Sequence, residues 1–383
     1  MAERARMLSG CRGASKCGFM APSGYDALAE RAAAMSKSCG TVVLTAVFGR
    51  KDKLQQPESG SVPHKLANCY FAIVDEESSA FLQKTAPPSV LREGRLDTER
   101  IGVWRLLTLR NADAPYASPR RTSRVPKLLP FRLFPHANYS LWVDGKLRLL
   151  ADPASLVRRF LKAPRASLSL PRNFKRDHID EEMEWIRGTL ASEPAKLKRA
   201  AARAVEAQWA FYGAEQNRTH GADARSTDEA DSAARVAPPT AWTQQTACAE
   251  GAMILADLRS PLARCVLCAW FNEWHRFGER DQLSFSYVLH AMGLTPPPEP
   301  PPGERADKKS ARHEAARGVH LWSRRDHWHY KRPKNEPKRK PFVKYMGHGG
   351  CQHTPVGQLP NPGCPGAPAK LPRWHKPKDK QLA

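Results

Sequence analysis

Two short segments place acids where apolar runs end. Asp75 closes the run that begins at Asn68, and a carboxylate there could accept hydrogen bonds from a nucleobase or a ribose. Asp144 and Lys146 flank Gly145 directly after the apolar residues 139–143. Asp144 could hold Mn²⁺ or Mg²⁺, or Lys146 could itself neutralise a phosphate without a metal. On the residues alone, both acids could equally be ordinary strand-end or turn residues.

A basic loop and a second acidic segment carry the remaining candidates. The loop holds Arg120, Arg121, Arg124 and Lys127, and arginine forks match the oxygens of a diphosphate, although a merely solvated loop has the same composition. In the segment 270–285, the carboxylates of Glu273 and Asp281 could accept a proton from an attacking hydroxyl group. Asp281 could instead cap the helix that starts there.

Alternating strands and helices must position these side chains. Apolar β-branched runs predict strands at 41–49, 68–77, 101–109, 139–150 and 249–257. Helical patterns lie at 126–135, 152–161, 179–190, 194–212, 261–273 and 280–292. This alternation predicts an α/β fold with a mostly parallel sheet flanked by helices. Ligands of such sheets bind beyond the carboxyl ends of the strands, where Asp75 and Asp144 stand.

Charge and composition suggest the boundaries of the domain. The net charge is +23, and residues 304–383 hold 19 basic and 6 acidic residues, or +13. We predict a disordered leader at 1–39, a folded domain at 40–295, and a Pro-rich, basic, disordered tail at 296–383. Within the domain we distinguish a first half, 40–150, from a second half, 151–295, with an insertion at 213–240. The tail attracts polyanions, but no motif for specific nucleic-acid recognition accompanies it.

The same inspection excludes several classes of protein. No apolar run approaches the ~20 residues that span a bilayer, and residues 1–39 lack the apolar core of a secretory signal. Nine cysteines are too sparse for a disulfide scaffold, and Cys265 and Cys268 read as two buried helix cysteines. Neither G-x-S-x-G nor H-E-x-x-H occurs.

Taken in order, six blocks of the sequence resemble a known family. They are AVFGRKDKLQQP, CYFAIVDEE, YASPRRTSRVPKLLPFRLFP, YSLWVDGKLRLLADP, AEGAMIL and LCAWFNEWHRFGERDQLSFS. The chain is similar to the plant turgor-regulation and mucilage-related family of glycosyltransferase-like domains. The resemblance implies a GT-A-like, Rossmann-type fold and transfer of a hexosyl or pentosyl group from a nucleotide sugar to a polysaccharide or glycan. Plant members are typically Golgi proteins with a membrane anchor, which this chain lacks.

The resemblance also implies that 40–150 is the nucleotide-binding half and 151–295 the acceptor half, and it implies roles for single residues. Asp75, Arg120, Arg121 and Lys127 would face the nucleotide and diphosphate, with Asp144 and Lys146 at the diphosphate or at a Mn²⁺ or Mg²⁺ ion. In an inverting reaction Asp281 would be the base, with Glu273 as second choice. The acceptor side would be lined by Glu250, Asn272, Arg280 and Gln282.

Two features of the sequence leave two alternatives open. Asn173-Phe174 departs from the His-Tyr of the family, and Lys146, although a lysine is usual there in the family, occupies the place of the second acid of an Asp-x-Asp metal site. The domain could therefore be an inactive module that binds glycans or polyanions. It could also be a hydrolase of an amide or ester bond in a lipid or glycan.

Overall fold

The computed structural model describes most of the central part of the chain and short pieces near its ends. The described residues are 17–18, 24–58, 68–86, 100–191, 195–220, 243, 246–278, 280–296, 318–323, 326 and 342–346.

An eight-stranded mixed sheet forms the centre of the molecule, in the order β3-β4-β2-β1-β5-β8-β7-β9. Its strands are β1 (Thr41–Val47), β2 (Asn68–Asp75), β3 (Arg100–Ile101), β4 (Trp104–Leu109), β5 (Tyr139–Val143), β7 (Leu168–Pro171), β8 (Met253–Asp257) and β9 (Val319–Trp322). Four of the seven neighbouring pairs are parallel, whereas β3–β4, β5–β8 and β7–β8 are antiparallel. Two further strands, β6 (Leu147–Leu149) and β10 (Val343–Tyr345), pair antiparallel in a small second sheet.

Helices cover both faces of the large sheet. They are α1 (Gly24–Met35), α2 (Glu76–Thr85), α3 (Pro119–Thr122), α4 (Arg124–Leu128), α5 (Pro130–Leu133), α6 (Pro153–Val157), α7 (Ile179–Ala191), α8 (Ala195–His220), α9 (Pro261–Phe277) and α10 (Asp281–Ala291). Alternate residues of β1 enter two cores, because successive side chains of a strand point to opposite faces. Val42 and Leu44 pack with α1, α4, α5 and α7–α10, and Val43 and Val47 pack with α2 and α6. The predicted α/β class, with parallel pairing in the majority and flanking helices, is confirmed.

The predicted leader is wrong for residues 24–39, because α1 packs against the main core. Tyr25, Leu28 and Ala32 are buried, and their spacing of three and four residues gives α1 one apolar face. The alanine- and charge-rich composition concealed this periodicity. The rest of the predicted leader lies outside the described residues, except for Cys17 and Gly18.

The predicted disordered tail is wrong at two places. β9 is the edge strand beside β7, and its Trp322 stacks on Phe160 with ring centroids 4.0 Å apart. β10 pairs with β6, and Val343 is buried. Both strands are short apolar segments within a basic stretch, so the average charge of that stretch did not indicate them. Of the predicted insertion at 213–240, residues 213–220 belong to α8 and the others lie outside the described residues.

Disulfide bonds join distant parts of the chain. Cys17 is bonded to Cys268, Cys39 is bonded to Cys69, and Cys265 is disulfide-bonded as well. Cys265 and Cys268 are buried in a helix as predicted, but as disulfides. The low number of cysteines had argued against a scaffold of this kind. No helix within the described part of the chain combines the length and the apolar character needed to span a bilayer.

Candidate functional site

Two loops meet at the carboxyl ends of β1 and β5. The first follows β1 at Gly49, whose φ of 63° suits glycine, and the second is the turn at Asp144 and Gly145. A Cβ atom on Gly145 would lie 2.9 Å from the Cβ of Asp52, so only glycine lets the loops approach this closely. The backbone N–H of Asp144 donates to the carbonyl of Ala252, which ties the turn to the start of β8.

Asp144 and Lys146 form an ion pair at this turn. Oδ2 of Asp144 lies 3.4 Å from Nζ of Lys146, and Oδ1 accepts a hydrogen bond of 2.8 Å from the indole N–H of Trp142. Burial raises the pKa of Asp144, but the positive charges of Lys146, Lys127 and Arg124 together lower it by more, so the net shift is downward. The side chains of Asp144 and Lys146 therefore lie next to each other, and both are charged at neutral pH.

A second ion pair is buried next to this turn. Nζ of Lys127 on α4 donates to Oδ2 of Asp281 at the start of α10, and Nε of Arg124 lies 3.5 Å from the same oxygen. Both members of the Lys127–Asp281 pair are almost inaccessible to solvent. Burial raises the pKa of Asp281, but Lys127 and Arg124 overcome this effect and hold the pKa far below its usual range. This carboxylate is consequently a permanent anion.

Glu250, which precedes β8, differs from both aspartates. It is partly buried, and its backbone N–H donates to the carbonyl of Pro171 over 2.7 Å. Burial and the negative charge of Asp144 raise its pKa, whereas the positive charges of Lys146 and Lys127 lower it. The resulting pKa is about 7. Glu250 can therefore gain or lose a proton near neutral pH.

Several cations lie within electrostatic reach of one another. Burial and the positive charges of Arg120, Arg124 and Lys146 lower the pKa of Lys51, Asp52 opposes them, and the resulting pKa is about 8. Together with Lys127, these residues form what we call the cation cluster: Lys51, Arg120, Arg124, Lys127 and Lys146. Such mutual repulsion among partly buried cations is relieved when an anion binds between them.

Lys51 was missed as a site residue by the sequence reasoning. The rule that had singled out Asp75 and Asp144 would have found it, because Lys51 follows the end of β1 by a few residues. The turn at Gly49, which precedes it, was visible in the sequence.

The described residues do not fit a divalent metal. No group of three His, Cys, Asp or Glu side chains capable of holding a metal occurs among them. Both oxygens of Asp144, the predicted ligand, already face Trp142 and Lys146. A hard cation prefers several oxygen ligands, and the neighbouring ammonium groups repel it.

Asp75 and Arg121 each hold two segments of the chain together. Asp75 caps α2 by accepting from the N–H of Ser78, and its other oxygen accepts from the N–H of Gly49, both over 2.7 Å. It thus fixes the loop that carries Lys51. Arg121 lies 4.7 Å from the ring centre of Tyr116 and donates to the carbonyl of His275 over 3.2 Å, so it joins α3 to the end of α9.

The other predicted residues occupy different surroundings. Asn272 is exposed on α9, with Nδ2 3.7 Å from Sγ of Cys268, and Glu273 is buried close to Tyr212. Arg280 lies 5.1 Å from the ring centre of Trp185, and Gln282 is half-buried in the first turn of α10.

Asn173, where the family pattern has histidine, holds a turn after β7. Its Oδ1 accepts from the backbone N–H groups of Lys175 and Arg176 over 2.9 and 3.2 Å. Arg176 pairs with the buried Glu182, whose pKa burial raises and Arg176 lowers, with a net upward shift. Glu182 also raises the pKa of Glu250.

Comparisons with known proteins place these features in a family. Residues 4–299 match the family described as TOD1/MUCI70, glycosyltransferase-like domain. The chain is 33% identical over 279 residues to "Probable hexosyltransferase MUCI70" of Arabidopsis thaliana, a match that covers 71% of this chain and 42% of that protein. It is 26% identical over 255 residues to "Alkaline ceramidase TOD1" of Arabidopsis thaliana, covering 66% and 48%. The matches thus span less than half of either relative.

Solved structures give weaker likenesses. Mouse xyloside xylosyltransferase 1 in its apo form is 12% identical with a TM-score of 0.31, covering 66% of this chain and 81% of that chain. The apo structure of the bifunctional glycosyltransferase WbbM is 8% identical with a TM-score of 0.30, covering 67% and 37%.

Proposed function

Because the chain belongs to the TOD1/MUCI70 glycosyltransferase-like domain family, we propose that it transfers a hexosyl or pentosyl group from a nucleotide diphosphate sugar to a glycan. Membership of the family and the relative named as a probable hexosyltransferase support a transferase in general. The donor and the acceptor belong to the proposal alone.

The observation that carries the proposal is the cation cluster. Lys51, Lys146 and the α4 residues Arg124 and Lys127 come from three separate segments. Nevertheless, Arg124 and Lys146 both act electrostatically on Lys51, and Lys146, Lys127 and Arg124 all act on Asp144. A nucleotide diphosphate brings two or more negative charges into such a space, and each charge-assisted hydrogen bond is about twice as strong as a neutral one. Burial first, and then the neighbouring cations, lower the pKa of Lys51, and an anion bound beside it would oppose both effects.

This arrangement can stabilise a leaving diphosphate without a metal. When the bond between the anomeric carbon and the phosphate oxygen breaks, its electron pair moves onto the diphosphate. Lys146 and Lys51 would neutralise that charge, while Asp144 keeps Lys146 protonated and oriented. The ammonium thereby does what a divalent cation does at an Asp-x-Asp site.

Glu250 is the better choice for the base, in place of Asp281. In an inverting transfer the acceptor hydroxyl attacks the anomeric carbon and its proton must pass to a carboxylate. The ion pairs of Asp281 with Lys127 and Arg124 make it a weak proton acceptor, and it is inaccessible. Glu250 lies within electrostatic reach of Lys146 and Asp144 and is only partly buried.

Calorimetric titration with UDP and GDP tests the diphosphate site. We expect Lys51→Met and Lys146→Met each to weaken binding about 10- to 100-fold, as for the loss of one charge-assisted hydrogen bond. Lys53→Met is the matched control, because Lys53 is exposed and lies two residues away, and it should retain full affinity. Adding Mn²⁺ should change the affinity little. Equal affinities for the wild type and both site variants would overturn the proposal.

Hydrolysis of an amide is the second candidate, since a 26% identical relative is named an alkaline ceramidase. Release of fatty acid from ceramide without any nucleotide would favour this activity. The same assay with Glu250→Gln would show whether the site described here performs it.

A further inference from the structure

The small sheet extends the site beyond the part of the chain that matches the family. That match ends at residue 299, whereas β10 begins at Val343. β10 pairs with β6, the strand directly after the Asp144–Lys146 turn, and Tyr345 lies opposite Leu147. The basic tail therefore contributes backbone to the wall of the candidate site.

Backbone hydrogen bonds at both ends of β6 hold β10 against it. The N–H of Met346 donates to the carbonyl of Lys146 over 2.8 Å, and the N–H of Leu150 donates to the carbonyl of Phe342 over 2.8 Å. The first bond holds the backbone of Lys146, whose side chain carries the ammonium group of the candidate site. The position of Lys146 consequently depends on a segment more than 190 residues away in sequence.

Tyr345 carries an exposed aromatic ring on the strand that pairs with β6, next to the backbone hydrogen bond between Met346 and Lys146. Burial lowers the pKa of Lys146, and Asp144, Glu250 and Tyr345 raise it, so the Tyr345 hydroxyl lies within electrostatic reach of Nζ. Nevertheless 43% of Tyr345 is exposed, and the adjacent Met346 is exposed to 41%. Among the described residues, Trp185 is the other large hydrophobic side chain with such exposure. Exposed aromatic rings next to polar groups are typical of binding surfaces.

We propose that Tyr345 is a specificity-determining residue that packs its ring against a carbohydrate ring held between the cation cluster and Glu250. This inference rests on the proposed function. The apolar face of a sugar fits a flat ring, and a phenolic hydroxyl can bond to a sugar hydroxyl. The carbohydrate ring belongs either to the donor or to the acceptor glycan.

Binding measurements with Tyr345→Ala, Tyr345→Phe and Lys344→Ala test the inference. Lys344 is the matched control, because it is exposed and its side chain points to the other face of β10. The probes are UDP alone, a panel of UDP-glucose, UDP-galactose and UDP-xylose, and cellohexaose in the presence of UDP. We expect Tyr345→Ala to weaken a UDP-sugar or the oligosaccharide about tenfold and to leave UDP unchanged, whereas the Phe variant retains most of the affinity.

The outcomes separate this inference from the proposed function. Weakening of a UDP-sugar identifies the donor ring, and weakening of cellohexaose identifies the acceptor ring. If Tyr345→Ala weakens UDP alone to the same extent, or changes none of the probes, Tyr345 does not contact a carbohydrate and the inference fails. If the wild type binds none of the nucleotides, the proposed function fails, and this inference fails with it.

Discussion

Two acids near the same lysine behave in opposite ways. The Asp281 centre consists of Asp281, Lys127 and Arg124, and its carboxylate keeps its charge although it is buried. In the Glu250 centre, Lys146 and Lys127 act on Glu250 from a greater separation, while Asp144 adds a like charge, so burial prevails and the pKa rises. Direct contact with a cation, more than burial, decides which carboxylate is a fixed anion and which one can exchange a proton.

The Glu250 centre should carry the largest effect on activity. We expect Glu250→Gln to lower the transfer rate about 10²- to 10⁴-fold, the range for loss of a general base, with donor binding preserved. The wild-type rate should rise as the pH passes through about 7, because the base must be ionised. Initial rates over pH 5.5–8.5 measure both, with the exposed Glu184→Gln as control. A fully active Glu250→Gln variant would remove Glu250 from the chemistry.

The Asp281 centre should carry the largest effect on stability. Asp281→Asn leaves the ammonium of Lys127 buried without its carboxylate, which costs about 3–5 kcal/mol of unfolding free energy. The exposed Arg110–Asp113 pair supplies the control, and Asp113→Asn should change stability little. Urea denaturation of both variants measures the difference. If both lose stability equally, the buried pair has no special role.

Replacing Glu250, the acid that can exchange its proton near neutral pH, should stabilise the protein at alkaline pH. The pKa of Glu250 is about 7 in the native state, against 4.5 for the unperturbed group. The native state therefore binds the proton more tightly, and stability falls as the pH rises from 4.5 to 7. Glu250→Gln should exceed the wild type by about 1–3 kcal/mol at pH 8 and by nothing near pH 4. Urea denaturation at both pH values checks this, and a gain independent of pH would contradict the shift.

Lys51 should give the smallest effect. Its native pKa of about 8 lies below the unperturbed 10.5, so it loses its charge as the pH rises through 8. We expect the affinity for UDP to fall several-fold between pH 7 and 9, as one of the charges that attract the diphosphate disappears. Titration calorimetry with Lys51→Met should show a flatter pH dependence, and an identical slope in wild type and variant would exclude Lys51 as the titrating group.

Local sequence patterns predicted one part of the candidate site. Strand patterns located β1, β2 and β5, and the strand-end rule placed Asp144 and Lys146 where the loops meet. Lys127 was predicted to face the diphosphate; it lies within electrostatic reach of Asp144, and its pairing with Asp281 was not foreseen. The pairing of Lys127 with Asp281 joins residues 154 positions apart, and no periodicity encodes such a contact.

Other features depend on tertiary structure or were hidden by averages. Asp281 was a candidate base by residue type, but only its neighbours fix its proton affinity. The strands β9 and β10 are four and three residues long, so the basic composition around them outweighed their apolar pattern. α1 was concealed in the same way by its alanines and charges.

The bond between Cys17 and Cys268 has a practical consequence for anyone who makes this protein. It closes a loop of 251 residues, so the ribosome has released almost the entire domain before the second sulfur becomes available. Thiols of this kind stay oxidised in secretory compartments and are kept reduced in the cytosol. Recombinant protein for the assays above should therefore come from a secreting host, where Cys17 can form its bond to Cys268 of α9 before purification begins.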